Sequence, residues 1–200
     1  MIRIFLAGLL GGIAMFIWTS LAHMVLPLGE TGVREMPNES NVLAAMQSNI
    51  SSDSGFYFFP GMGLGPNPTS EQKNEAMKHM NETLSNHPSG ILIYHAPGSH
   101  PFNMGKLLSV EFLTELIEAF LAVFLLAQTR LTSYGSRVTF ITVIGIIAAV
   151  ATNVSYWNWY GFPGNYTAAY MLIQFVGFLC VGLVAAFILK KYRAGGSERA

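Results

Sequence analysis

Four apolar runs constrain this chain more than any other feature, because each approaches the roughly 20 residues that an α-helix needs to cross a hydrocarbon core. The first, Ile4 to Leu26, reads IFLAGLLGGIAMFIWTSLAHMVL and carries no formal charge. The second, Leu107 to Gln128, reads LLSVEFLTELIEAFLAVFLLAQ and holds three glutamates. The third spans Val138 to Trp157 and the fourth Thr167 to Leu189. Composition agrees: 52% of the 200 residues are hydrophobic and 11% charged, whereas soluble domains run near 25% charged. Mean hydropathy is +0.42. Eleven basic residues balance eleven acidic ones, so no global field draws the chain to nucleic acid.

The pattern predicts an all-α transmembrane four-helix bundle with a small α/β insert between helices 1 and 2. In residues, the division is helix 1 over 1–27, the insert over 28–105 and helix 2 over 106–129. A link follows over 130–137, then helix 3 over 138–157, an aromatic loop over 158–166, helix 4 over 167–189 and a basic tail over 190–200. Arg3, Arg130, Arg137, Lys190, Lys191, Arg193 and Arg199 share one side in short segments. Arg34, Lys73, Lys78 and Lys106 are spread over the long segment on the other. Positive residues favour the cytoplasm, so both termini are expected inside and the insert outside. Tyr156, Trp157, Trp159 and Tyr160 then form an outer interfacial belt.

A signal peptide ending near Ser20-Leu21-Ala22 competes for the first run. That run outlasts a usual h-region and continues through Met24, Val25 and Leu26. Gly8 and Gly12 moreover make a small-xxx-small face suited to a neighbouring helix. A retained helix is the expectation.

The insert is too long and patterned for a plain connector. Asn38 or Ser40 suits the cap of a helix in ESNVLAAMQS, and Thr69 with Gln72 makes a capping-box pattern before a second one. Residues 55–62 and 90–97 read as two short strands, Pro60 confining the first to an edge or an end. The one cysteine, Cys180, lies in the fourth run, so no disulfide staples the insert. It should rest on helix ends, a partner subunit or headgroups. The same cysteine usage suggests a bacterial inner membrane. Asn-x-Ser/Thr triplets at Asn38, Asn49, Asn81, Asn153 and Asn165 are therefore not read as glycosylation sites.

Chemistry concentrates in the second run. Glu111, Glu115 and Glu118, spaced i, i+4, i+7, form one stripe on a helix. At 1.5 Å per residue from Lys106 they lie about 8, 14 and 18 Å deep. A charge at the midplane costs roughly 2.5–3.5 kcal/mol or more, so the stripe should face protein or water. Three stacked carboxylates cannot all be cheaply ionised; either some bind protons or a cation sits among them. His23, Asn153 and Gln174 from the other runs complete an expected outward-facing polar pocket with the three glutamates. Polar residues in membrane helices also act as interhelical glue, which is the plainer account of the same residues.

No ligand set fixes a metal or any other cofactor. Glu-x-x-His and His-Glu-x-x-His are absent, as are a serine elbow, a P-loop, a dinucleotide fingerprint and Cys-x-x-Cys. His95 and His100 in the insert are weak metal candidates. Three function classes follow: an accessory or assembly subunit whose insert docks a partner, a proton, cation or small-solute carrier using the glutamates, and a metal-dependent membrane enzyme or redox protein. The accessory reading comes first, with the bilayer and either further copies of the chain or a partner membrane subunit as its contacts, and no nucleic acid.

Overall fold

A computed structural model describes residues 1–50 and 54–194; the side chains from Lys190 onward, and with them the basic tail through Arg199, lie outside the described set. The chain is mostly helical: α1 (Ile2–Met24), α2 (Glu39–Asn49), β1 (Gly55–Phe59), α3 (Ser70–Asn86), β2 (Gly90–Tyr94), α4 (Met104–Ala127), α5 (Tyr134–Tyr160) and α6 (Gly164–Ala194). It divides into two units, one of Met1–Arg34 with Asn103–Ala200 and one of Glu35–Phe102.

Among the described residues three helices are long and apolar enough to cross a membrane: α1 with 23 residues, α5 with 27 and the Gly164–Leu189 part of α6 with 26. This is a membrane protein's layout, with Leu6, Leu10, Ile17, Ile147 and Phe187 among the apolar side chains that these three helices leave exposed. The second expected span forms α4, whose 24 residues match the others in length. It stays outside the apolar set because Lys106 and the three glutamates dilute it.

Small residues bring the long helices together. Bilayer association gains little from the hydrophobic effect, so close packing must drive it. A Cβ on Gly12 would lie 2.7 Å from Leu116 Cδ2 and 3.0 Å from Leu116 Cα, and one on Gly8 would strike the Phe120 ring. The expected small-residue face of α1 is thus the surface that meets α4. One turn around, Gly11 meets Val181 and Met15 meets Gly177 of α6. Gly145 of α5 lies against Phe178, and Gly182 of α6 against Val138. These contacts run antiparallel, placing α1 between α4 and α6, and α6 between α1 and α5. A core of Ala7, Met15, Val123, Leu126, Ile141 and Val181 draws all four helices together at one end.

Local signals set the helix ends. Asn103 accepts the Lys106 N–H and Ser133 the Ser136 N–H, capping α4 and α5. Arg137, expected as a positive marker of the link, is buried, and its Nε donates to the Leu131 carbonyl at 3.0 Å. The aromatic segment is shorter as a loop than the sequence suggests. Helix α5 continues through Trp159 and Tyr160, stopping only where Gly161 turns left-handed (φ +68°) and its N–H bonds the Tyr156 carbonyl.

In the other unit β1 and β2 pair antiparallel, with Gly55 opposite Tyr94 and Phe59 opposite Gly90. The first strand ends at Phe59, immediately before Pro60. Thr69 and Gln72 make the expected capping box on α3. Asn38 occupies the α2 cap position in a left-handed conformation, without a side-chain cap bond. Neither α2 nor α3 buries a residue, and among the described residues of this unit Tyr94 alone is buried.

Candidate functional site

Helix periodicity turns α4 into two working faces. Phe112, Leu116 and Phe120 face α1, where Phe112 meets Phe16 edge-on at 5.1 Å and Phe120 meets Phe5 at 5.5 Å. The glutamates occupy the adjoining flank. Their exposures differ: Glu111 is exposed, Glu118 half-buried, and Glu115 only 3% exposed.

Glu115 is the centre of the cluster. Thr19 of α1, itself 9% exposed, lies beside its carboxyl, and Glu111 and Glu118 are its acidic neighbours on α4. Its Oε2 is buried and has no hydrogen-bond partner. An unpaired carboxyl oxygen in such surroundings is costly as a charge, since the interior offers nothing to replace lost water.

Toward the start of α4 the groups become aromatic and more exposed. The His23 ring lies edge-on to Tyr170 at 5.6 Å, and Tyr170 stacks on Tyr166 at 4.3 Å. Tyr170 lies within electrostatic reach of Glu111. The series continues through Phe162 to Tyr156 at 5.5 Å per step, and Tyr156 packs on Tyr160 at 5.7 Å. Trp157 and Trp159 remain exposed. The chain after α1 folds back over this rim: Gly29 sits directly on the His23 imidazole, where any side chain would collide with Nδ1.

Asn153 and Gln174 form a separate pair. Asn153, 9% exposed, donates through Nδ2 to the Ala149 carbonyl at 3.0 Å and to Gln174 Oε1 at 3.3 Å. Nearby, Trp18 Nε1 donates to the Ile173 carbonyl at 2.9 Å, tying α1 to α6. The six residues singled out in the sequence therefore fall into three groups. The glutamates form a ladder with Thr19, His23 reaches it by way of Tyr170, and Asn153 with Gln174 joins α5 to α6.

Sequence patterning alone passed over Thr19 and Trp18, because one hydroxyl and one indole in an apolar helix look like ordinary packing. Their signal is positional: apart from Arg3 at its start, α1 carries its hydrogen-bonding side chains, Trp18, Thr19, Ser20 and His23, in its last two turns. Among the described residues no three His, Cys, Asp or Glu side chains gather as a metal site. Comparison with protein-family models, with curated proteins and with solved structures finds no match.

Proposed function

We propose that the chain is a four-span inner-membrane protein, both termini cytoplasmic, whose α4 glutamates bind and exchange protons. In this reading α4 is the fourth span, crossing with its acidic flank turned away from lipid. The observation that carries the proposal is Glu115, 3% exposed with an Oε2 that no donor reaches. Intramembrane acids so placed are functional more often than structural. A proton suits the site better than a metal cation. One acceptor oxygen suffices for a proton, whereas hard cations take six or more oxygen ligands, and the α1–α4 contact beside Glu115 is Phe16, Phe112 and Leu116. Thr19 supplies the neutral partner, and Glu111, Tyr170 and His23 connect the carboxyl to the outer rim.

The test is infrared difference spectroscopy on protein reconstituted in lipid, read with carbodiimide labelling. Wild type should show the carbonyl stretch of a dehydrated protonated carboxyl and a carbodiimide adduct at Glu115. Glu115→Gln should lose both while remaining folded. An unchanged carbonyl band in that variant, or no adduct at any of the three glutamates, would refute the proposal.

A second reading, an accessory subunit, draws on the insert. A unit that buries a single tyrosine among its described residues gains most from a partner that completes its core. Deleting residues 35–102 would then abolish assembly of the partner complex and leave the Glu115 carbonyl band intact.

A further inference from the structure

The two histidines that follow β2 are held as a pair. His95 and His100 flank the turn Ala96-Pro97-Gly98-Ser99, closed by the Ser99 N–H donating to the Ala96 carbonyl at 2.9 Å. Proline second and a left-handed glycine third (φ +78°) give the type II pattern. The Ser99 hydroxyl donates to the same carbonyl at 2.7 Å. Ser54, the residue before β1, accepts the Ala96 N–H at 3.0 Å and lies 3.1 Å from the Ser99 hydroxyl. The turn is thereby tied to the end of the sheet where Gly55 faces Tyr94.

The consequence is that the two imidazoles lie face to face, centroids 4.2 Å apart and planes within 14°. Both rings are exposed. Histidine ligates metals as the neutral imidazole, through either ring nitrogen. A divalent ion held at about 2.0–2.1 Å by two imidazole nitrogens needs them roughly 3 Å apart and must lie in both ring planes, so the two exposed rings have to swing out of the stack about their side-chain torsions to converge on it. The composition of the segment is acidic: residues 35–102 carry Glu35, Glu39, Asp53, Glu71, Glu75 and Glu82 against Lys73 and Lys78, a net charge that attracts cations.

We propose that His95 and His100 form a two-histidine clip for a divalent transition metal, with water completing its coordination. Imidazole nitrogen selects the copper–zinc end of the first-row series over magnesium or calcium, and copper(II) binds tightest of that series. The rigid turn is what distinguishes this pair from His79 and His87 on and beside α3. His79 is instead engaged with Glu75 of its own helix at 3.6 Å.

The experiment is a copper(II) titration of the full-length, untagged protein in detergent, followed by electron paramagnetic resonance and repeated with zinc by calorimetry. The expected result is one ion per chain with hyperfine structure from two nitrogens. His95→Gln and His100→Gln should each weaken binding by no less than the roughly 10–100-fold that loss of an outer-shell partner costs, and the double variant should abolish it. His79→Gln/His87→Gln should bind as wild type does. Binding that survives His95→Gln/His100→Gln, or weak non-stoichiometric uptake indicating an adventitious ion only, would overturn the proposal. Glu115→Gln should leave the titration unchanged, so failure here and failure of the proton-binding reading are separate results.

Discussion

At the scale of single residues, Glu115 poses a question of sign. A carboxyl kept only to bind helices should stabilise the bundle, and a carboxyl kept for proton exchange should not. Replacing a buried ionisable group by an apolar side chain of similar bulk is often neutral or stabilising. We therefore expect Glu115→Leu to unfold at the same or a higher denaturant concentration than wild type, with its proton exchange lost. Interhelical glue predicts the opposite stability change. Thr19 is the companion case. Thr19→Val keeps the shape, removes the hydroxyl that meets Glu115, and should lower stability by about 0.6–2 kcal/mol. Thr19→Ser should restore most of it. Sodium dodecyl sulfate unfolding of the reconstituted variants measures both.

At the scale of elements, the helices interlock where side chains are missing. Gly12 brings α1 close enough to α4 that an added Cβ would lie 3.0 Å from a backbone atom, Leu116 Cα. Backbone cannot swing aside as a side-chain tip does. Gly12→Val should separate α1 from α4, lower the Tm in detergent, and expose Glu115 to rapid hydrogen–deuterium exchange in the infrared spectrum. A Tm within a degree or two of wild type would show that the contact carries little energy. The sequence reveals this face through Gly8 and Gly12 at helical spacing, and it reveals the four long helices through their apolar runs. It does not reveal which helix each polar group meets. Asn153 pairs with Gln174 of α6, and Thr19 with Glu115 of α4, because two antiparallel registers bring them to matching depths. Register comes from packing, and a one-dimensional pattern does not encode it. The aromatic segment illustrates the same limit: Trp159 and Tyr160 look like a belt loop in the sequence, but the helix runs on through them to the left-handed Gly161, with Pro163 just beyond.

At the scale of the whole molecule, both termini are proposed to lie in the cytoplasm, a reading that stands on the distribution of arginine and lysine. In a Cys180→Ala background, the Ser85→Cys variant should react with a membrane-impermeant maleimide in intact cells, and the Thr132→Cys variant only after lysis. The reverse labelling would invert the topology and put the rim around His23 on the cytoplasmic side.

The uneven polarity of α4 bears on how such a protein is made. A glutamate near the middle of an inserting segment costs roughly 2.5–3.5 kcal/mol, and each leucine or phenylalanine returns only about 0.3–0.6 kcal/mol. Presented alone to the insertion machinery, α4 is a marginal candidate for lateral release into lipid. Helix α1 precedes it in synthesis and offers a glycine-lined surface and the Thr19 hydroxyl on the side where α4 docks. On the four-span reading, α1 waits in the membrane while the insert is translocated, then receives α4 as a preformed binding partner. On that same reading the first helix serves as an intramolecular chaperone for α4.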